Sequence, residues 1–389
     1  MTTTLRLAAA RALAWALLLG GWVGVGAVAL ALTPSLLALH ALVAAWLVVL
    51  GVAATVATRD SLQARTRRLA LVLGALWTAG ALVWAAHGGG LPALLLALCA
   101  WAGLTALASG VVRSLRQAQI TRPRPPIAAA SIGALCAALA IGDPSHAQAL
   151  ALRLGLLVVL AALALALLQL SDPRRGAVST CRAGLFDCSL PAWPAGAWHD
   201  VQQWPTLLAG LAMLPMMAAL PLMVAWCRAE SIAPQAMVLL HFAAMFVPAL
   251  LLRRAMAHWH PRVLPVVCTL LLAAGALIVL CASAPFNLLG VALAQGAAWS
   301  LAWAGQLWSP ERRSRQGTSP LRAAIGYAVV TLAVGVAVQA LGPLGLALAQ
   351  AALGLVAVLA WGYLLARHAP AHAPWVDLAE ARAIAVEPQ

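Results

Sequence analysis

Long apolar runs alternate with short polar breaks along almost the whole chain. A helix that crosses a bilayer needs about 20 consecutive apolar residues. The breaks leave twelve runs of that kind, at residues 12–32, 35–57, 69–86, 91–112, 127–142, 150–170, 204–226, 233–252, 263–283, 286–304, 322–341 and 344–366. The pattern therefore predicts an all-α polytopic membrane protein with twelve transmembrane helices. Its longest break, 171–203, divides the chain into an N-terminal six-helix half (1–170) and a C-terminal one (204–366), followed by a tail at 367–389.

Composition supports lipid as the solvent. Of 389 residues 64% are hydrophobic and only 9% charged, too little charge to cover a water-soluble surface. The 24 basic residues are all Arg, a bias expected of a GC-rich bacterial genome. The formal charge of +14 does not indicate a nucleic-acid partner, because the Arg residues are dispersed in short breaks.

Their placement carries topology. Arg59, Arg65, Arg67 and Arg68 lie in one break, and Arg113, Arg116, Arg122 and Arg124 in the next but one. Arg174, Arg175 and Arg182, then Arg253, Arg254 and Arg262, then Arg312, Arg313 and Arg315 continue the series. The intervening breaks, around Pro34, Gly89, Asp143, Glu230, Pro285 and Gly342, hold almost none, Arg228 being the main exception. The positive-inside rule makes the Arg-bearing side cytoplasmic. Both termini and the 171–203 linker are then expected in the cytoplasm, and the protein in a bacterial inner membrane. The N-terminus lacks a cleavage pattern, so the first run reads as a retained helix.

Intramembrane ionisable groups are costly and mark function. All ten acidic residues (Asp60, Asp143, Asp172, Asp187, Asp200, Glu230, Glu311, Asp377, Glu380 and Glu387) fall in breaks, run ends or the tail. No carboxylate stands ready at mid-membrane for a proton or an organic cation. Soft ligands are distributed quite differently. Apart from Met1, every Met lies between 213 and 256. Met213 and Met217, four apart, stack on one face of the seventh helix, and His241 and Met245 repeat the spacing in the eighth. At about 1.5 Å per residue, the first pair lies roughly 13–20 Å from one membrane face and the second roughly 12–18 Å from the other. Both thus fall near the midplane of a core about 30 Å thick. Thioethers with imidazole favour Cu(I) over Mg, Ca or Mn. Any one of these Met could also be a gap-filler.

The two-half plan with a cytoplasmic linker resembles the major facilitator superfamily. HFAAMFVPALLLRRAMAHWHPR (241–262) resembles a facilitator helix ending in a basic turn. TRDSLQARTRR (58–68) resembles the superfamily's G-x-x-x-D-R-x-G-R-R loop, keeping Asp60, Arg67 and Arg68 without the glycines. Met213-x-x-x-Met217 followed by His241-x-x-x-Met245 resembles the signature of the CcoA-type copper importers, which serve the cbb-type haem–copper oxidase. The resemblance implies that Met213, Met217, His241 and Met245 bind copper as the transported substrate between helices seven and eight. A cytoplasmic copper acceptor would receive it, and no resident cofactor is expected.

Other features have plainer readings beside the functional ones. Seven scattered Cys imply no disulfide framework. Cys181, Cys188 and His199 in the linker could relay copper or simply be solvated, and Cys227 has no obvious partner. Trp193, Trp198 and Trp204 suit the headgroup layer. Gly20-x-x-x-Gly24 could bring two helices close or be ordinary packing in an Ala-rich helix. Two alternatives stand beside copper import. One is a facilitator of a neutral or anionic organic molecule using Arg228, Gln295, Gln306 and the Trp-rich tenth helix. The other is a membrane assembly factor with no flux. An enzyme is not expected, since no HExxH, nucleophile elbow or phosphate loop occurs.

Overall fold

In the computed structural model the apolar runs form twelve α-helices among the described residues. Those residues are 3–33, 35–59, 64–117, 127–142, 146–170, 204–227, 234–252, 255, 263–281, 284–308 and 320–367. The N-terminal helices are α1 (Thr3–Leu32), α2 (Leu36–Arg59), α3 (Ala64–Trp84), α4 (Gly90–Gln117), α5 (Ile127–Ile141) and α6 (Ala147–Leu170). The C-terminal helices are α7 (Trp204–Cys227), α8 (Pro234–Leu251), α9 (Val263–Cys281), α10 (Ala284–Trp308), α11 (Pro320–Leu341) and α12 (Pro343–Arg367). The linker with Cys181, Cys188 and His199, the tail from 368 and the Arg residues at 228, 253, 254, 262, 312, 313 and 315 lie outside the described residues.

Several helix limits differ from the hydrophobic pattern, chiefly where Arg lies at a helix end, and glycines shape two of the turns. α1 starts at Thr3 rather than near residue 12. Arg6 and Arg11 interrupt the apolar run but not the helix, because Arg is a good helix former. α5 has only 15 residues, about 22 Å of helix. Gly142 ends it at φ +51, where its N–H closes a 2.9 Å bond to Ala138 O. Between α3 and α4 the chain turns through a π-helical segment, Ala85–Gly89, with Gly88 at φ +120 and Gly90 at φ +57. Only glycine adopts those angles without strain, so the Gly88-Gly89-Gly90 run makes the reversal.

The helix neighbours repeat with a period of six. α1 packs on α4, α5 and α6, and α7 packs on α10, α11 and α12. In the same way α3 on α4 and α6 recurs as α9 on α10 and α12, and α2 on α4 recurs as α8 on α10. The two halves meet chiefly along α2–α11 and its counterpart α5–α8, with α1 and α7 touching at the centre. Such a repeated pattern is what two copies of one six-helix unit, side by side in the membrane, produce.

Small residues set how closely these helices pack. A Cβ at Gly20 or Gly24 would stand 2.8 Å from Leu157 or Leu154 of α6, so this pair is the α1–α6 contact. Gly133 of α5 lies directly over Ala12 O and Trp15 of α1. Outward faces carry large apolar side chains, among them Leu73, Leu139, Leu167, Leu270 and Leu359, each more than 60% exposed. That much exposed Leu requires a lipid surround. Six stretches of the described residues are long and apolar enough to cross a membrane by length and composition, and five more helical stretches of 10–17 residues are apolar. The protein is a multi-pass membrane protein.

Candidate functional site

The centre of the C-terminal half is built on α10. Three contacts stitch α8 to it. His241 Nδ1 donates to Ala292 O at 3.2 Å. Ala244 lies over Gly296, where a Cβ would come within 2.8 Å. Ser300 Oγ accepts the N–H of Ala249 at 3.1 Å. The last bond follows Pro248, which interrupts the ladder of α8. A neighbouring hydroxyl commonly takes up backbone groups beside such a break.

The bond to Ala292 O places the ring proton of His241 on Nδ1, because a carbonyl can only accept. Nε2 therefore carries a lone pair. It is buried without a hydrogen-bond partner among the described residues, in a residue that is 0% exposed. A backbone carbonyl that fixes the tautomer leaves the other nitrogen able to ligate a metal.

α7 is buried on every side from Leu208 to Leu220, apart from half-buried Leu211. Met213 and Met217 sit inside it at 1% exposure each, and Met245 of α8 is 2% exposed. All four residues singled out by the sequence thus occupy the interior of one half. His241 and Met245 share the buried stripe of α8 that faces α10. The contact between α7 and α8 themselves is slight, and α10 packs on both. The two helices that carry the pairs thus share α10 as a common neighbour.

Sequence reasoning missed the prolines of the Met helix. Pro215 and Pro221 lie inside α7 on either side of Met217. Proline has no N–H, so the carbonyls of Leu211 and Met217 lose their helical donors. Mid-membrane backbone of this sort is tolerated where it is buried in protein or lines a cavity. The signal was legible: two prolines six residues apart within one apolar run.

A buried amide chain supports the same region. Gln295 Nε2 of α10 donates to Gln350 Oε1 of α12, and Gln350 Nε2 donates to Ala212 O, one residue before Met213, at 3.2 Å. Gln295 Oε1 ends the chain as a buried acceptor without a donor among the described residues. Of the polar residues considered for an organic solute, Gln295 is therefore in the core. Arg228 and the side chain of Gln306 lie outside the described residues.

The Trp residues of α10 form one cluster with α8 and α1. Trp299 and Trp303 stack at 5.2 Å, and Phe246 meets them edge-on at 5.8 and 6.1 Å. Trp15, from the other half, points into this group, 5.6 Å from Phe246, 5.3 Å from Trp303 and 6.3 Å from Trp299. Among the described residues no three of His, Cys, Asp or Glu gather as a metal-binding set. Cys268 donates to Ala298 O at 3.5 Å, while Cys99 and Cys136 are exposed on outer helix faces.

No family model and no curated protein sequence matches the chain. Solved structures do. A nucleoside transporter, NupG, in its D323A form superposes at TM-score 0.64 with 15% identity, over 94% of this chain and 100% of that one. The xylose transporter XylE from E. coli, partially occluded and inward open, gives 0.64 with 11% identity over 95% and 98%. A D-xylose–proton symporter gives 0.64 with 12% identity over 92% and 98%. At such identities the likeness fixes the fold, and it spans nearly the full length of every chain compared. Together with the six-helix repeat, it establishes that this protein has the major facilitator fold, an all-α polytopic membrane architecture of two six-helix halves.

Proposed function

We propose that the chain is a secondary transporter that carries copper through Met213, Met217, His241 and Met245. The fold supports transport, since alternating exposure of a central site is what two rocking halves provide. One observation carries the choice of cargo: His241 is oriented by Ala292 O and keeps a buried, unshared lone pair on Nε2, with Met245 one turn away. Thioethers and a neutral imidazole suit Cu(I), and an uncharged ligand set releases a monovalent ion more readily than carboxylates would. Inward movement across a bacterial inner membrane, delivery to a cytoplasmic acceptor and supply of a haem–copper oxidase are what the resemblance to CcoA-type importers adds. The Arg distribution supports cytoplasmic termini.

A second reading has its own support. The solved structures of like fold transport nucleosides and xylose, which weighs toward a small polar organic cargo. Gln295 Oε1 is a buried acceptor that a hydroxyl or N–H of such a solute would satisfy. The two readings separate in one experiment. Cells expressing the chain are given labelled copper, uridine and xylose in parallel, with Met213→Leu, Met217→Leu, His241→Leu, Met245→Leu and Gln295→Leu variants at equal abundance. Copper uptake that collapses in the first four variants supports copper transport. Uridine or xylose uptake that falls in Gln295→Leu, with no copper signal, establishes the organic cargo instead.

A further inference from the structure

A second histidine is buried in this membrane protein, and it lies on the seam between the halves. His40 of α2 is 0% exposed. Its Nδ1 donates to Leu36 O at 2.9 Å, and its Nε2 is buried without a partner among the described residues. The seam closes tightly there. A Cβ on Gly335 of α11 would lie 2.5 Å from the Cβ of His40, so only glycine allows the approach. One turn further along α2–α11, Gln339 Oε1 of α11 accepts the N–H of Leu37 at 3.0 Å, tying the first turn of α2 to the opposite half. On the other side of Gly335, Thr331 shares its face of α11 and is 0% exposed.

We propose that His40 is a proton-binding site that reports pH to the α2–α11 seam. In the closed seam Leu36 O takes one ring N–H, and no hydrogen bond from the described residues reaches Nε2. Imidazolium carries two such donors and a charge, and the second N–H would be buried unpaired. When the halves part, Nε2 meets water and can take the proton. The proton is then a ligand of the open seam alone, and mass action pulls the seam open as the proton concentration rises.

Among the described residues no neighbouring charge offsets this. The charged and titratable residues of the helices packed on α2 are Arg6 and Arg11 of α1, Cys99, Arg113 and Arg116 of α4, Cys227 of α7, and Arg322 and Tyr327 of α11. None is a carboxylate. Arg6, Arg11, Arg113, Arg116 and Arg322 lie toward the helix ends remote from the first turn of α2, and Tyr327 is two turns from Gly335. Cys99 is exposed on the outer face of α4. Arg59, on α2 itself, is at its far end. The closed seam therefore gives way as the proton concentration rises.

Residue 331 gives a reporter that needs no substrate, so the result is independent of which cargo is carried. Thr331→Cys places a thiol on the seam in the full chain, purified in detergent. Maleimide modification is followed at that peptide by mass spectrometry, with each rate divided by that of the unfolded chain at the same pH. If the open seam alone binds the proton, the rate rises about tenfold between pH 8 and pH 5.5. With His40→Gln the rise disappears. With Gly335→Ala, which forces His40 off α11, modification is already fast at pH 8 and depends little on pH. A flat profile with His40 present, or an equal rise in His40→Gln, overturns the proposal.

Discussion

Replacing His241 by leucine separates a structural histidine from a functional one. In the protein the imidazole makes one hydrogen bond, to Ala292 O at 3.2 Å, and buries Nε2 with nothing to bond. The bond is worth about 0.5–1.5 kcal/mol net, while an unsatisfied buried polar atom costs about 1–3 kcal/mol. Leucine is similar in volume and apolar, so it forfeits the first term and removes the second. Ala292 O keeps its helical donor in α10. The balance is a protein that is unchanged or more stable by up to about 2 kcal/mol. A functional histidine must then show opposite responses: thermal unfolding in detergent at an equal or higher midpoint, and copper uptake reduced at least about tenfold. A midpoint lowered by several degrees with uptake intact would mean that the ring serves packing, and would refute the reasoning.

Three further perturbations test the surroundings. Trp15→Ala removes three edge-on ring pairs that join α1 to the other half, about 1.5–4.5 kcal/mol beyond area burial, so its unfolding midpoint falls and Trp15→Phe restores part of the loss. Gln350→Leu leaves the buried amide of Gln295 unpaired and lowers stability by about 1–3 kcal/mol. The double change Gln295→Leu/Gln350→Leu recovers much of it, as a double-mutant cycle of melting curves will register. Gly133→Val drives a side chain into the Ala12 carbonyl and Trp15, backbone that cannot yield, and costs at least about 1–3 kcal/mol, measured as lost folded protein after detergent extraction.

Much of the architecture was legible because the membrane makes strict demands. Twelve apolar runs became twelve helices, since hydrocarbon forces each span to satisfy its own backbone. Charge misled at several ends: Arg6 and Arg11 hid the first turns of α1, Arg65, Arg67 and Arg68 the start of α3, and Arg113 and Arg116 the end of α4. Four-residue spacing put Met213 with Met217 and His241 with Met245 on one face of each helix, and the structure buries all four. What spacing could not supply was which helix stands beside which. Nothing in the sequence places α10 against both α7 and α8, or Ala292 O on His241, because those contacts depend on helix order in space. Gln350 is a similar case, an isolated amide in an apolar helix whose partners lie 55 and 138 residues away. His40 was overlooked for a different reason. It has no Met at i+4, and its meaning comes from Gly335 across the seam.

The central claim, that Met213, Met217, His241 and Met245 hold one copper ion, is tested most directly by X-ray absorption on the purified chain loaded with Cu(I). The account predicts one ion per chain with a shell of both sulfur and nitrogen. The nitrogen should vanish in His241→Leu, and sulfur should diminish in Met213→Leu, Met217→Leu and Met245→Leu. Failure to retain copper against a weak competing chelator, or an identical spectrum in all four variants, would contradict it.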